Sequence, residues 1–291
     1  MATNRSKSGF NPLGFGVIGA VIATAGYIYF YQVQPLASPW NDAVLNFGTS
    51  IPAGIGAAIA TWIWRQFKPT DRPRAVWLHL ALGLWAWTAA EVAWACYALP
   101  GAEPPVPSWA DAFWMVGYML FTAALLYQYR PVFHSTPGKE RWTIIGVVAA
   151  VLVISLLTTI VLRQLISTEE PWLTTYINVF YPFGDLAVAV AALILVRAFG
   201  WGLWGRPWIA LLAFTFADAL YAWLTITGLY SYLSEQGNPL SMVSDVVYFD
   251  AYLVMMLGCY SILLLLRHGP RLRSSSSELR TANRNGEGTA R

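Results

Sequence analysis

Residues 107–129 read PSWADAFWMVGYMLFTAALLYQY, and no charged side chain follows Asp111 in this stretch. A helix that crosses a bilayer needs about 20 mostly apolar residues, so the sequence predicts a transmembrane helix over 110–129. Ser108 and Asp111 have the spacing of a capping box, in which a carboxylate satisfies free amides at a helix start and complements the helix dipole. We therefore interpret Asp111 mainly as a structural residue of the helix start, and we interpret Asp42 and Asp245 in the same way.

The rest of the chain has the composition of a membrane protein. Of its 291 residues, 57% are hydrophobic and 11% are charged, whereas soluble globular proteins carry about 25% charged residues. Apolar runs of membrane-spanning length also occupy 12–33, 43–65, 76–99, 143–165, 175–198, 207–229 and 244–266. The prediction is an all-α, polytopic integral membrane protein, whose eight transmembrane helices form four helical hairpins in one domain over 12–266.

Basic residues lie at alternate ends of the predicted helices. They precede the first helix and follow the second, fourth, sixth and eighth, whereas the opposite connections are mainly acidic. Because basic residues are kept in the cytoplasm, we expect a cytoplasmic N-terminal segment over 1–11 and a cytoplasmic tail over 267–291, whose polar composition is typical of disorder. The basic connections should lie on anionic lipid headgroups, so the lipid bilayer is a predicted partner and nucleic acid is not.

Short motifs recur where the even-numbered helices begin. SPWNDAVLNFG at 38–48 aligns with PSWADAFWMVG at 107–117, because Trp stands two residues before Asp and Gly six residues after it in both. SMVSDVVYFDAY at 241–252 repeats the Asp near a helix start, and YPFGDLAVAVAA at 181–192 is a weaker version. This self-similarity predicts a two-helix hairpin that is used four times in parallel orientation.

Four acidic residues lie too far from the ends of the predicted helices to be explained as helix caps. Glu91, Asp185, Asp218 and Asp250 come from four different helices, and each lies about 10 to 16 Å from the outer end at a rise of about 1.5 Å per residue. No Lys or Arg occurs at that depth. Acids inside a membrane are candidates for function, so we predict an outward-facing cavity for a ligand, a cation or a proton. The structural alternative is that each acid is hydrogen-bonded to a neighbouring helix.

Aromatic side chains accompany these acids. Trp87, Trp94, Tyr181 and Tyr221 occur within a few residues of them in the sequence, and aromatic walls suit an organic cation or a planar ligand. Ordinary helix packing and an interfacial aromatic belt are the alternative explanation. The predicted ligand-binding set is therefore Glu91, Asp185, Asp218, Asp250, Trp94, Tyr181, Tyr221 and Trp87.

The sequence contains no evident cofactor site. His79, His134 and His268 fall at predicted cytoplasmic ends or loops, and every Lys lies outside the predicted helices or at their ends. This distribution supports neither a transmembrane bis-His haem nor a zinc site, and it leaves no lysine for a retinal Schiff base. No nucleotide-binding or hydrolase motif occurs. We predict no cofactor, and an enzyme is the least favoured functional class.

The region 76–266 resembles the multi-helix membrane input regions of bacterial GGDEF diguanylate cyclases and sensor histidine kinases. The resemblance is carried by a helix with an internal Glu, then PSWADAFWMVGYMLF, YPFGDLAVAVAALIL and SDVVYFDAYLVMML. It implies a sensor in a bacterial inner membrane. The chain has neither a GGDEF signature nor a kinase phosphorylation motif, so we expect it to signal through a separate cytoplasmic protein.

Two functions remain open from the sequence. In the first, a ligand, cation or proton binds the acidic layer and shifts the population between two helix packings. In the second, the chain is a proton- or cation-coupled transporter, because an acidic layer in a repeat-built bundle is also typical of carriers.

Overall fold

The computed structural model describes residues 12–99, 104–129, 139–165, 170–200, 202–230 and 238–268. Within these ranges the chain is helical and contains no strand, so the prediction of an all-α fold is confirmed. The α-helices are α1 (Pro12–Val33), α2 (Trp40–Gln66), α3 (Arg72–Ala98), α4 (Trp109–Tyr129), α5 (Lys139–Leu165), α6 (Trp172–Phe199), α7 (Arg206–Ile226) and α8 (Pro239–His268). The predicted segment 1–11 and all but the first two residues of the predicted tail 267–291 lie outside the described residues.

Seven of the described helices are long and apolar enough to cross a membrane. They are α1, α2, α3, α4, α6, α7 with the short 3₁₀ helix Leu203–Gly205 before it, and α8 up to Arg267. The described apolar part of α5, Ala149–Leu165, is shorter than the others. The chain is therefore a polytopic α-helical membrane protein.

The boundaries of α7 and α8 differ from the predicted ones. α7 ends at Ile226, three residues before the predicted end, because Gly228 adopts a left-handed conformation with φ of 68°. Such a glycine ends a helix. The amides of Leu229 and Tyr230 both donate to the carbonyl of Leu224 at that end. α8 begins at Pro239, five residues before the predicted start, and the Asn238 side chain accepts hydrogen bonds from the first-turn amides.

Six helices form a closed ring. In order around the ring they are α2, α3, α4, α6, α7 and α8, and α8 packs back against α2. α1 packs on the outside of α8 and α2, and α5 packs on the outside of α4 and α6. Each of the four predicted hairpins is present as a pair of packed helices.

The contact pattern repeats at a spacing of four helices. If each helix from α1 to α4 is exchanged with the helix four positions later, every packed pair of α-helices maps onto another packed pair. For example, α3 with α4 maps onto α7 with α8, and α4 with α6 maps onto α8 with α2. The four hairpins are therefore grouped into two equivalent halves, α1–α4 and α5–α8, which meet in the ring.

Glycines set the close contact between α3 and α4. A Cβ atom on Gly117 of α4 would lie 2.1 Å from the Trp87 ring, and one on Gly83 of α3 would lie 2.5 Å from the Phe121 ring. Small residues let membrane helices approach each other closely. Each glycine therefore makes room for an aromatic ring of the other helix.

The ring is filled with apolar side chains at one end. Ile63, Leu80, Leu125, Leu195 and Ile262 are fully buried there, and they come from five of the six ring helices. Ile63, Leu125, Leu195 and Ile262 lie near the C-terminal ends of α2, α4, α6 and α8, and Leu80 lies near the start of α3. We call these five residues the apolar plug, and the connections at this end of the bundle carry the basic residues.

Candidate ligand cavity

A cavity of about 860 Å³ occupies the end of the bundle opposite the apolar plug. Its walls come from the starts of α2, α4, α6 and α8 and from the ends of α1, α3 and α7. Along α3 the lining extends from Ala98 to Trp87, which corresponds to about 16 Å at about 1.5 Å per residue. The cavity therefore reaches about half of the way along this helix.

The lining is acidic and aromatic. None of the described residues that line the cavity is Lys, Arg or His. The lining carboxyl groups belong to Asp42, Glu91, Asp111, Asp185, Asp218 and Asp245. A site of this kind attracts positive charge and repels anions.

Glu91 accepts hydrogen bonds from four side chains of three other helices. Its Oε1 atom accepts from the hydroxyls of Tyr252 at 2.7 Å and Tyr248 at 2.9 Å, both on α8, and from the Trp114 indole of α4 at 3.3 Å. Its Oε2 atom lies 2.9 Å from the Thr49 hydroxyl of α2. Glu91 is only 3% exposed, so it is a buried junction that joins α3 to α2, α4 and α8.

The Thr49 contact is compatible with either charge state of Glu91. The Thr49 hydroxyl lies 2.9 Å from Glu91 and also 2.9 Å from the carbonyl oxygen of Asn46. A hydroxyl has one proton, so it donates to only one of these acceptors at a time. When Thr49 donates to Asn46, a neutral Glu91 can donate its own proton to the Thr49 oxygen. When Glu91 is ionised, Thr49 donates to the carboxylate.

Asp185 and Asp218 form a carboxyl pair between α6 and α7. The Tyr118 hydroxyl of α4 lies 2.5 Å from an oxygen of Asp185 and 3.1 Å from an oxygen of Asp218. The Tyr118 hydroxyl therefore lies between the two carboxyl groups and places them side by side. Two carboxylates that share a site repel each other, so the pair favours a state with one proton and one negative charge.

Asp111 has both a capping role and a position in the cavity wall. Its Oδ2 atom accepts from the Ser108 amide at 2.7 Å and from the Ser108 hydroxyl at 2.8 Å, so the predicted capping box is present. Its Oδ1 atom accepts from the Tyr181 hydroxyl of α6 at 2.7 Å. Asp111 therefore also joins α4 to α6.

Asp42 and Asp245 differ in their relation to the helix start. Asp42 lies in the first turn of α2 and accepts a hydrogen bond from the Ser38 hydroxyl at 3.1 Å, as expected for a residue at a helix start. Asp245 is not a cap, because α8 begins at Pro239 and Asn238 holds its first amides. Instead, Asp245 accepts from the Tyr230 hydroxyl at 2.9 Å.

The structure brings three of the four predicted deep acids to this cavity. Asp250 lies outside its lining and accepts a hydrogen bond from the Thr24 hydroxyl of α1 at 2.5 Å. Depth along a helix does not determine which face a residue occupies. Asp245 and Asp250 are separated by about 140° around α8 at about 100° per residue, so only Asp245 faces the cavity. The predicted aromatic residues Trp87, Trp94, Tyr181 and Tyr221 all line it.

Sequence reasoning missed two of the tyrosines that bind the acids, Tyr118 and Tyr252. Tyr118 and Tyr252 each stand seven residues after an aspartate, Asp111 in α4 and Asp245 in α8. An aromatic residue also stands three residues after each aspartate, Trp114 and Tyr248. Positions i, i+3 and i+7 share one face of a helix, so this shared spacing was the signal that could have identified them.

No family model, no curated protein and no solved structure matches this chain. Within the described residues, no group of three or more His, Cys, Asp or Glu side chains is placed to hold a metal ion. A function is therefore argued from the geometry of the cavity itself.

Proposed function

We propose that the chain is a bacterial inner-membrane, sensor-like protein that detects a small ligand, a cation or a proton in the acidic cavity. Eight helices cross the membrane and both termini lie in the cytoplasm, since the basic connections lie at the plug end. The cavity then faces away from the cytoplasm. The observation that carries the proposal is a lining with six carboxyl groups and no Lys, Arg or His among the described residues.

The position of the apolar plug favours sensing. The cavity occupies one end of the ring, and fully buried aliphatic side chains fill the other end. A ligand that enters from the cavity side therefore meets a packed core and no continuous path. This arrangement suits detection on one side of the membrane.

A connection from the cavity to the basic end runs through α2 and α8. Thr49 of α2 and Tyr252 of α8 both contact Glu91 at the cavity. At the other end of the same two helices, the Arg267 guanidinium lies 4.2 Å from the Trp62 ring centroid. A ligand in the cavity that disturbs these Glu91 contacts would alter the balance between two packings of the helices, which a cytoplasmic signalling protein would detect. The resemblance to bacterial sensor input regions supports this assignment.

A second candidate is a proton- or cation-coupled transporter. The observation that favours it is the repeat of the contact pattern between α1–α4 and α5–α8. Several transporter folds consist of two parallel repeats with the substrate site at their interface. The acidic cavity lies where these two halves meet.

Binding is tested by thermal unfolding of the purified full chain in detergent with Na⁺, K⁺, Mg²⁺ and primary or quaternary amines. A specific ligand stabilises the folded state by mass action. Asp185→Asn should abolish the stabilisation, and Asp250→Asn is the matched control because Asp250 lies outside the cavity. If no compound stabilises the wild-type chain, or if both variants respond as the wild type does, the cavity is not the binding site.

Sensing and transport are separated in proteoliposomes. A stabilising compound that accumulates against a proton or sodium gradient, with accumulation lost in Asp185→Asn, identifies a transporter. Binding without flux, together with a ligand-dependent change in reactivity at Cys96, favours a sensor. Cys96 is an exposed free thiol near the end of α3, five residues after the cavity residue Glu91.

A further inference from the structure

The two halves of the bundle place equivalent side chains around the centre of the ring. Trp87 stands four residues before Glu91 in α3, and Phe214 stands four residues before Asp218 in α7. The rings of Trp87 and Phe214 pack against each other with centroids 5.0 Å apart. Each acid is bound by a tyrosine from the last helix of the other half. Tyr252 of α8 contacts Glu91 of α3, and Tyr118 of α4 contacts Asp218 of α7.

Thr49 of α2 and Asp185 of α6 also occupy equivalent positions in the two halves, but their side chains differ. Thr49 follows the pair Phe47-Gly48 in α2, and Asp185 follows the pair Phe183-Gly184 in α6. Thr49 contacts Glu91, and Asp185 shares the Tyr118 hydroxyl with Asp218. One half therefore contains a hydroxyl beside its acid, whereas the other contains a second carboxyl group.

The two half sites also differ in their hydrogen-bond donors. Trp114 and Tyr248 occupy equivalent positions in α4 and α8, and both donate to Glu91. With Thr49 and Tyr252, Glu91 has four donors. Among the described residues, Asp185 and Asp218 together have one side-chain donor, the Tyr118 hydroxyl. Two carboxyl groups that line a cavity thus have fewer donors than the single carboxyl group of the other half.

We propose that the Asp185–Asp218 half site binds the ammonium group of a small primary amine and that the Glu91 half site is its structural counterpart. This inference rests on the proposed ligand-binding function of the cavity and specifies the chemistry of the ligand. A protonated primary amine has three N–H donors and no acceptor, which matches two carboxyl groups that have only the Tyr118 hydroxyl as a side-chain donor among the described residues. Its single charge neutralises a carboxyl pair that carries one negative charge.

The size and walls of the cavity fit an organic amine. A volume of about 860 Å³ lies in the range of about 300 to 1,000 Å³ that is typical of small-molecule sites. The Tyr181 ring lies 6.2 Å from the Tyr118 ring between centroids, beside the carboxyl pair. Aromatic faces attract ammonium groups and also pack against apolar substituents. The ligand class is therefore an amine with an apolar or aromatic body.

The test measures binding of 2-phenylethylamine and of its N,N,N-trimethyl derivative to the purified full chain, by calorimetry and by thermal unfolding. Both probes carry the same charge and ring, but only the primary amine has N–H donors. We expect the primary amine to bind more tightly. Loss of a hydrogen bond to a charged group should raise its Kd about tenfold or more in Asp185→Asn and in Asp218→Asn.

Two controls make the outcome specific. Asp250→Asn removes an acid outside the cavity and retains an acceptor for Thr24, so its Kd should match the wild type. Glu91→Gln should alter stability with less than about a threefold change in Kd, because the Glu91 oxygens are already occupied by four donors.

Each alternative outcome overturns a different statement. If the trimethyl derivative or a metal cation binds more tightly than the amine, and Asp185→Asn weakens that binding, the amine inference is wrong and the proposed cavity function stands. If Glu91→Gln removes binding and Asp185→Asn does not, the assignment of the two half sites is reversed. If neither probe nor any metal cation binds the wild type, and Asp185→Asn leaves the pH dependence of the Tm unchanged, the amine inference and the proposed function both fail.

Discussion

The rings of Trp87 and Phe214 pack edge to face, with centroids 5.0 Å apart and ring planes at 88° to each other. The two residues come from α3 and α7, which occupy equivalent places in the two halves of the bundle. Edge-to-face aromatic pairs are favourable beyond their burial alone. This contact therefore joins the two halves directly beneath the cavity, and the orientation of Trp87 matters for both.

Gly117→Ala should destabilise the protein by displacing Trp87. A Cβ atom at this position would lie 2.1 Å from Cδ1 of the Trp87 ring, so the indole must move away from its packed position. Overpacking of this kind costs about 1 to 3 kcal/mol. Thermal unfolding in detergent measures the effect as a lower Tm.

Gly19→Ala is the matched control for this substitution. It makes the same change within helix α1, where an added Cβ has no atom within 4 Å, and alanine favours the helix by up to about 1 kcal/mol. The Tm should be unchanged or higher. Equal loss of stability in the two variants would show that the contact between Gly117 and Trp87 is not the cause.

Replacing Glu91 should show that the carboxyl group acts as a hydrogen-bond acceptor at a helix junction. Glu91→Ala removes the acceptor of two tyrosines and one tryptophan, whereas Thr49 can still donate to the Asn46 carbonyl. Unsatisfied buried groups cost about 1 to 3 kcal/mol each, so we expect a loss of about 3 kcal/mol or more. Chemical denaturation in mild detergent measures the difference.

Glu91→Gln is the conservative comparison for the junction. Its amide oxygen accepts from the three Oε1 donors, and its NH₂ group can donate to Thr49 when Thr49 donates to Asn46. The loss of stability should therefore be less than about 1 kcal/mol, because each buried group retains a partner. A loss as large as that of Glu91→Ala would mean that the junction requires the charge.

Much of the architecture could be predicted from the sequence, because the bounds of membrane helices depend on the length of each apolar run and on where charged residues occur along the chain. The ranges 110–129 and 12–33 agree closely with α4 and α1 for this reason. The side of a helix on which an acid lies depends on packing in three dimensions, so depth alone grouped Asp250 with Glu91. Asp245 was assigned to capping because apolar content placed the start of α8 at 244, whereas Pro239 and Asn238 begin that helix earlier.

The equivalent tyrosines Tyr118 and Tyr252 should respond differently to removal of the hydroxyl group. Tyr252→Phe removes one of four donors to Glu91, so it should cost about 1 kcal/mol of stability and leave amine binding unchanged. Tyr118→Phe removes the hydroxyl that contacts both Asp185 and Asp218. It should weaken binding of 2-phenylethylamine about fivefold, since the carboxyl pair loses a positioning hydrogen bond.

Calorimetric titration of both variants compares the two half sites directly. Because each variant loses one hydroxyl at an equivalent position, general effects of the substitution are shared between them. Weaker binding in Tyr252→Phe alone would contradict the assignment of the amine to the Asp185–Asp218 half site. Equal weakening in both would show that the half sites have not diverged.

Tyr230 should make stability fall at alkaline pH. Burial raises the pKa of Tyr230 well above its ordinary value, and the negative charge of Asp245 raises that pKa further. An unfolded tyrosine ionises near pH 10, whereas the folded protein retains the phenol proton to higher pH. The unfolded state therefore binds fewer protons above about pH 10, and the free energy of unfolding decreases as the pH rises.

Tyr230→Phe removes this contribution, at the expense of the 2.9 Å hydrogen bond to Asp245. The variant should be less stable than the wild type at pH 8, and the difference should become smaller as the pH is raised from about 10 to 11.5, where the wild type loses its contribution from Tyr230. Tyr29→Phe is the control, because the Tyr29 side chain is half exposed on α1. Chemical denaturation at fixed pH values measures the three proteins. A constant difference between Tyr230→Phe and the wild type across this range would show that the phenol of Tyr230 does not ionise differently in the folded and unfolded states.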